Sequence, residues 1–186
     1  MILEPLPATT NGTAPTPGDL PGPLLTELTA LYASHHEFFA LSGDFPDAHD
    51  IRAEQVATAL ADELAQPGAE VLLGRSEGRL VGVVVTLARH PDPVEPDPAE
   101  PDLADPDPWI GLLLVDAQAH RPGLGKELAA AIEQRFRAAG HAGVRLAVRD
   151  NNPKGLAFWT ALGYELVDHR EDTQLGRPCA VLRKPL

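Results

Sequence analysis

The feature that most constrains this chain is an apolar run that ends in a glycine-rich turn and then passes into a helix. The run is Trp109–Val115, the turn is His120–Gly125, and the predicted helix begins near Lys126. The first backbone N–H groups of a helix lack acceptors within the helix and carry a partial positive charge. Glycines allow an anion to approach those groups closely. This strand–turn–helix unit therefore predicts a site for a phosphate or pyrophosphate group.

Two common phosphate-binding motifs do not fit the turn. A P-loop requires G-x-x-x-x-G-K-[ST], but His120 stands at its first glycine and Glu127 at its Ser or Thr. A dinucleotide-binding fingerprint requires G-x-G-x-x-G, and Leu128 stands at its third glycine. The turn therefore matches neither of these two motifs.

A third pattern, [Q/R]-x-x-G-x-[G/A] after a strand, fits better. Gly123 and Gly125 occupy its small-residue positions, Lys126 supplies the basic residue that follows, and His120 departs from the Gln or Arg of its first position. With this pattern the chain resembles the GNAT N-acetyltransferase superfamily, whose members bind the pyrophosphate of acetyl-CoA on this loop.

A second segment, 152–164, strengthens the resemblance because it is similar to the family signature N-x-x-A-x-x-F-Y-x-x-x-G-F. The residues that match are Asn152, Phe158 and Gly163, and the near substitutions are Gly155, Trp159 and Tyr164. The glycine turn and this signature also follow each other in the family's order. The resemblance is strongest over residues 109–170.

The predicted secondary structure agrees with this family's fold. Apolar periodicity and turn residues predict strands at 2–6, 71–74, 80–88, 109–115, 144–148, 165–168 and 180–182. Helices are predicted at 24–39, 50–64, 126–139 and 154–162, with Asp50 as the cap of the second helix. The expected fold class is α/β, with a mixed, mostly antiparallel central sheet and flanking helices, as in the GNAT fold.

The resemblance implies that acetyl-CoA is the co-substrate and indicates which residues bind it. Backbone groups at the end of the fourth strand would align the pantetheine arm, the turn would bind the pyrophosphate, and the second motif would line the site. The residues implied are Leu113, Leu114, Val115, His120, Arg121, Gly123, Leu124, Gly125, Lys126, Asn152, Phe158 and Trp159.

The sequence does not identify a catalytic acid or base. Many family members have a tyrosine acid where this chain has Trp159, and an indole N–H does not ionise usefully. Tyr164 is expected to pack in the core, and Trp159 to be either core or a wall of the cofactor site. The fourth strand contains no acid, so Asp107 and Asp116 are the nearest carboxylates, and Asp116 is expected to stabilise a turn.

The amine acceptor is expected to bind where the first two helices meet the sheet. The residues that crowd this joint are His35, His36, Glu37, Phe38, Phe39, Asp44 and His49. The two phenylalanines are expected in the core rather than in a pocket. No metal site is expected, since no further Cys or His follows His35 and Glu37 at zinc-like spacing.

Charge and length set the remaining expectations. The chain has 186 residues and a net charge of −12, and a single domain over 1–186 is expected. Seven acids and no Lys or Arg lie in an acidic, proline-rich loop at 91–108. This loop is either a solvated connection or a means of attracting a cationic amine. Such charge argues against nucleic-acid binding.

Partners and location follow from the same observations. The chain has one cysteine, no apolar stretch long enough to cross a membrane, and no signal peptide pattern, so a cytoplasmic protein is expected. The acceptor is expected to be a small-molecule amine or a peptide, and a homodimer is left open. Two alternatives remain: a regulatory relative that binds acetyl-CoA without efficient catalysis, and a nucleotide-binding module.

Overall fold

The computed structural model describes residues 1–7, 20–89, 107–119, 123–172 and 176–186. Within these ranges the strands are β1 (Ile2–Pro5), β2 (Ala69–Ser76), β3 (Arg79–Leu87), β4 (Trp109–Val115), β5 (Gly143–Arg149), β6 (Glu165–Glu171) and β7 (Pro178–Pro185). The helices are α1 (Gly22–Ala33), α2 (His36–Ser42), α3 (Ala53–Leu64), α4 (Leu124–Ala138) and α5 (Pro153–Ala161). Most of the acidic loop, residues 90–106, lies outside the described residues.

All seven described strands join one sheet in the order β1-β2-β3-β4-β5-β7-β6. The pair β4 and β5 is parallel, and the other neighbouring strands are antiparallel. The predicted mixed, mostly antiparallel α/β sheet is confirmed. The hairpin between β2 and β3 turns at Glu77 and Gly78, whose φ angles of 52° and 80° are both positive, as its tight two-residue turn requires.

The sheet lies between two helical layers because its strands have apolar residues on both faces. On β3, Val83 and Val85 belong to the core beneath α1 and α3, whereas Val84 belongs to the core beneath α4. The α4 side of that second core contains Leu128 and Ile132, which are fully buried. Both faces of the central strands are therefore covered, and access to the sheet is limited to places where its strands separate.

The predicted helix over 24–39 is wrong in one respect, because it is interrupted at Ser34 and His35. His35 has φ −108° and ψ 34°, outside the helical region, and α2 restarts at His36. The side chain of His35 bonds instead to Val115, the last residue of β4, and that of Ser34 bonds to Ala117, which follows β4.

The predicted cap of the second helix is also wrong. Helix α3 begins at Ala53, and the residue before it is Arg52, whose N–H donates to the side-chain oxygen of Gln55 at 2.8 Å. Asp50 is paired with the guanidinium group of Arg52 at 2.6 Å. The carboxylate that was expected to accept from the N–H groups at the start of α3 therefore forms an ion pair with a residue two positions away.

Candidate functional site

Strands β4 and β5 separate after a short parallel seam. The residue pairs between them are Trp109 with Arg145 and Ile110 with Leu146, although β4 continues to Val115. We call the space between the two strands beyond these pairs the β4–β5 gap. It opens toward the carboxyl ends of both strands.

A β-bulge lies at the point where the gap begins. Ile110 pairs with Thr86 and Leu112 pairs with Val85, so Gly111 is an extra residue in β4. A bulge bends its strand and increases the local twist. Gly111 is exposed although it lies in the middle of the sheet. The bulge therefore accounts for the separation of β4 from β5.

The register of β4 determines which backbone groups face the gap. The N–H of Asp116 donates to the carbonyl of Val81 on the neighbouring strand at 2.9 Å. In an antiparallel ladder, residues alternate between bonding to the partner strand and pointing away from it. The backbone groups of Val115 and Leu113 therefore face the gap, whereas those of Leu114 bond to β3.

Helix α4 begins at the glycine turn, two residues earlier than predicted. Gly123 precedes it with a φ of 90°, and no side chain among the described residues caps the helix. The first intrahelical bond runs from the N–H of Glu127 to the carbonyl of Gly123 at 2.9 Å. The N–H groups of residues 124–126 consequently have no acceptor in the helix. His120 and Arg121, two of the predicted contacts, lie outside the described residues.

The glycine turn packs directly on the second sequence motif. A Cβ added to Gly125 would lie 3.3 Å from ring carbons of Phe158. Phe158 is half-buried and contacts Trp159 edge-on, with ring centroids 5.0 Å apart. Leu124 is 4% exposed and lies in the core, so only its backbone is available to a ligand. Lys126 is exposed at the helix start.

Asn152 has a structural contact that sequence reasoning did not anticipate. Its side-chain oxygen accepts from the N–H of Gly155 at 2.9 Å and caps α5. A Cβ on Gly155 would lie 2.6 Å from the amide nitrogen of Asn152, so the two residues pack closely. A cofactor contact by Asn152 stays a prediction.

Two aromatic residues of the second motif, Trp159 and Tyr164, lie in the core. Trp159 is 8% exposed and Tyr164 is 1% exposed, and their rings contact each other at 5.0 Å. Burial raises the pKa of Tyr164 well above its usual range. The expectation that Tyr164 packs in the core is confirmed, and the indole of Trp159 has no readily ionised proton to give to a leaving group.

The two carboxylates nearest to β4 both accept hydrogen bonds from other groups of the chain. Asp107 is 4% exposed at the start of β4, where it accepts from the Nε atoms of Arg183 at 2.7 Å and Arg145 at 3.3 Å. This is the end of the strand away from the mouth of the gap. Asp116 accepts from the N–H of Gln118 at 2.9 Å, which confirms its expected turn role.

The joint between α1 and α2 contacts the end of β4. The Nε2 atom of His35 lies 2.6 Å from the carbonyl oxygen of Val115, and the hydroxyl of Ser34 accepts from the N–H of Ala117 at 3.2 Å. Burial lowers the pKa of His35, and the charge of Asp116 opposes this shift. Sequence reasoning placed His35 at the joint but could not find a contact between residues 80 positions apart.

Helix α2 continues from this contact across the mouth of the gap to the end of β5. The carbonyl of Leu41 accepts from Asn151 at 3.2 Å, and the carboxylate of Asp44 accepts from Arg149 at 3.1 Å. Phe39 is 2% exposed and belongs to the core, as expected. Within the described ranges, no group of His, Cys, Asp or Glu is arranged to hold a metal ion, and no helix is long and apolar enough to cross a membrane.

Comparison with known proteins agrees with this geometry. The model of the acetyltransferase (GNAT) family matches residues 28–164. No curated protein matches the sequence significantly.

Solved structures have the same fold at low sequence identity. An acetyltransferase from Thermus thermophilus is 20% identical with a TM-score of 0.66, over 100% of this chain and 98% of that chain. The ribosomal-protein-S18-alanine N-acetyltransferase of Escherichia coli is 14% identical with a TM-score of 0.57, over 99% and 94%. An aminoglycoside 6'-N-acetyltransferase complexed with coenzyme A is 13% identical with a TM-score of 0.60, over 100% and 97%.

Proposed function

The chain belongs to the acetyltransferase (GNAT) family, and on this premise we propose that it transfers the acetyl group of acetyl-CoA to a primary amine. One observation carries the proposal: the β4–β5 gap leads along β4 to the uncapped start of α4. Acetyl-CoA has an extended pantetheine arm that is joined to a pyrophosphate. An open strand edge can bind the arm, and a helix N-terminus next to it can bind the pyrophosphate.

The proposed cofactor site uses mostly backbone groups. The N–H groups of Leu124, Gly125 and Lys126 bind the pyrophosphate, and the Lys126 side chain adds a positive charge. A lysine in the first turn opposes the helix dipole unless an anion lies nearby, which favours this assignment. The backbone groups of Leu113 and Val115 that face the gap align the pantetheine arm. Leu114 supports the site because its side chain packs in the core.

The chemistry follows from what the site offers. An uncharged amine attacks the thioester carbonyl carbon and forms the amide C–N bond, the C–S bond breaks and the thiolate leaves, and the proton lost by the amine passes to solvent water. Backbone N–H groups that face the gap polarise the carbonyl. Because residue 159 is a tryptophan and Tyr164 is buried in the core, the thiolate leaves without a phenol acid from either position. A thiol pKa of roughly 8–9 makes such a departure feasible near neutral pH.

The test of the cofactor site compares Gly123→Asp with Gly123→Asn. Both residues tolerate a positive φ better than most, and both suit a helix N-cap. The aspartate adds a negative charge where the pyrophosphate is proposed to bind, so we expect coenzyme A to bind at least about tenfold more weakly to it than to Gly123→Asn. Isothermal titration calorimetry measures the affinity. Equal affinities in two folded variants would contradict the site.

A second candidate function is a regulatory protein that binds acetyl-CoA without efficient catalysis. The burial of Trp159 and Tyr164 favours it, since no phenol of these two motif positions reaches the gap. Release of free thiol from acetyl-CoA in the presence of a panel of amines distinguishes the two. Release with any one amine supports the enzyme, whereas tight binding without release across the panel supports the regulator.

A further inference from the structure

We propose that His35 is a positioning residue for acetyl-CoA, which holds the last peptide of β4 in the orientation that the cofactor arm requires. The proposal rests on the cofactor site proposed above. It concerns a residue outside both sequence motifs, and its basis is the 2.6 Å contact between Nε2 of His35 and the carbonyl oxygen of Val115.

The chemistry of this contact determines the tautomer of His35. A carbonyl oxygen can only accept, so Nε2 must carry the proton. Burial lowers the pKa of the imidazole, which favours the neutral ring at neutral pH. Asp116, in the turn after β4, is the charged group that opposes the shift. His35 is therefore a neutral donor through Nε2, with an unprotonated Nδ1.

The contact fixes a peptide unit that is already bonded on its other side. The carbonyl of Val115 and the N–H of Asp116 belong to the same peptide, and that N–H donates to Val81 of β3 at 2.9 Å. The peptide is consequently held by β3 on one side and by His35 on the other. The N–H of Val115 and the backbone groups of Leu113 are left to face the gap.

Ser34 adds a second point of attachment immediately downstream. Its hydroxyl accepts from the N–H of Ala117 at 3.2 Å and donates to the carbonyl of Leu31 at 2.7 Å, within α1. Two consecutive residues of α1–α2 thus hold the chain between the end of β4 and the glycine turn. Loss of these bonds would let the pyrophosphate site move relative to the cofactor arm, and a small misplacement of this kind weakens binding.

The experiment compares three substitutions of His35 with a matched control. In Gln the amide nitrogen is as many bonds from Cα as Nε2 is in His, so His35→Gln keeps a donor near Val115. His35→Asn carries its donor nearer the backbone, and His35→Ala has none. His141→Ala is the control, since His141 lies beyond the C-terminal end of α4 and its ring contacts Phe136.

We expect His35→Ala and His35→Asn to raise the Kd for coenzyme A and the KM for acetyl-CoA about tenfold, with a nearly unchanged kcat. His35→Gln should recover most of the affinity, and His141→Ala should match the parent. Ser34→Ala, which removes the bond to Ala117, should raise the same KM by a smaller factor and serves if the His35 variants fold poorly.

Three results would overturn the proposal. Unchanged Kd and KM in His35→Ala with a lowered Tm would reduce His35 to a purely structural residue. A fall in kcat that Gln does not restore, together with a changed pH–rate profile, would give the imidazole a role in proton transfer. If the parent protein does not bind coenzyme A, the proposed function fails with it; if the parent binds and the variants match it, only the role of His35 fails.

Discussion

The two ends of β4 are held by different chemistry. At its start, the carboxylate of Asp107 is buried and accepts from the guanidinium groups of Arg145 and Arg183. At its end, uncharged hydrogen bonds to His35 and Ser34 hold the chain. At the start, the carboxylate and the two guanidinium groups pair with each other. At the end, the first N–H groups of α4 have no acceptor within the helix, so an incoming anion meets the positive end of the helix dipole.

The difference teaches where a strand end can serve a ligand. A buried ion network fixes a strand firmly, but removal of one partner leaves the other charges uncompensated. Hydrogen bonds between uncharged groups hold the chain more weakly, and they do not neutralise any charge near the site. The start of β4 is therefore suited to stability and its end to binding, and substitutions at the two ends should affect different measurements.

The largest expected effect is at the start of β4. Asp107→Asn should lower the free energy of unfolding by roughly 2–4 kcal/mol, because two partly exposed arginines lose their shared carboxylate. Urea denaturation measures the loss. The affinity of the folded fraction for coenzyme A should stay near that of the parent. Asp116→Asn, at the other end, is the control and should cost less than about 1 kcal/mol. A similar loss in both variants would remove the contrast between the ends.

A smaller effect is expected from pH at the end of β4. Burial holds the folded-state pKa of His35 below its ordinary value of 6.5. Well above 6.5 the ring is neutral in both states, so it adds no pH dependence there. As pH falls below 6.5, the unfolded state binds a proton that the folded state resists, and the protein loses stability.

Denaturation of the parent and of His35→Gln between about pH 8 and about pH 5.5 measures this contribution. The parent should lose more stability than the variant on acidification, and the titration of all other groups cancels in the comparison. An equal loss in both proteins would mean that His35 is accessible to solvent when it is protonated.

The smallest expected effect concerns the acidic loop that enters β4. Asp107 is a structural residue and must be kept, so the other six acids of 91–108 are replaced by Asn or Gln. If the loop attracts a cationic acceptor, kcat/KM should fall about two- to threefold at low salt, and the difference should disappear at high salt because the charges are screened. Identical values at both salt concentrations would make the loop a solvated connection, held at the end of β4 remote from the gap.

The local features of this fold could be predicted from sequence because their causes are local. The glycine turn, the apolar run of β4 and the hairpin at Glu77 and Gly78 each depend on neighbouring residues. The positions of Gly123 and Gly125 indicated the start of α4 to within two residues. Phe158 of the second motif packs against Gly125 of the turn.

The remaining features depend on contacts between distant residues and could not be predicted. The break between α1 and α2 depends on bonds from His35 and Ser34 to residues 80 and 83 positions away. The burial of Asp107 depends on Arg145 and Arg183, which are 38 and 76 positions away. Neither helical periodicity nor a run of charged residues indicates which distant residues pair.

The short seam between β4 and β5 also has a consequence for how the molecule assembles. It joins two groups of antiparallel strands, β1–β4 and β5–β7, by the pairs Trp109 with Arg145 and Ile110 with Leu146. Each group can form from hairpin-like neighbours, whereas the seam needs the long crossover through α4, so we expect it to close late in folding. A ligand in the gap binds only the joined state, and it therefore stabilises that state in proportion to RT ln(1 + [L]/Kd). The free energy of unfolding of the chain therefore increases with the concentration of the cofactor.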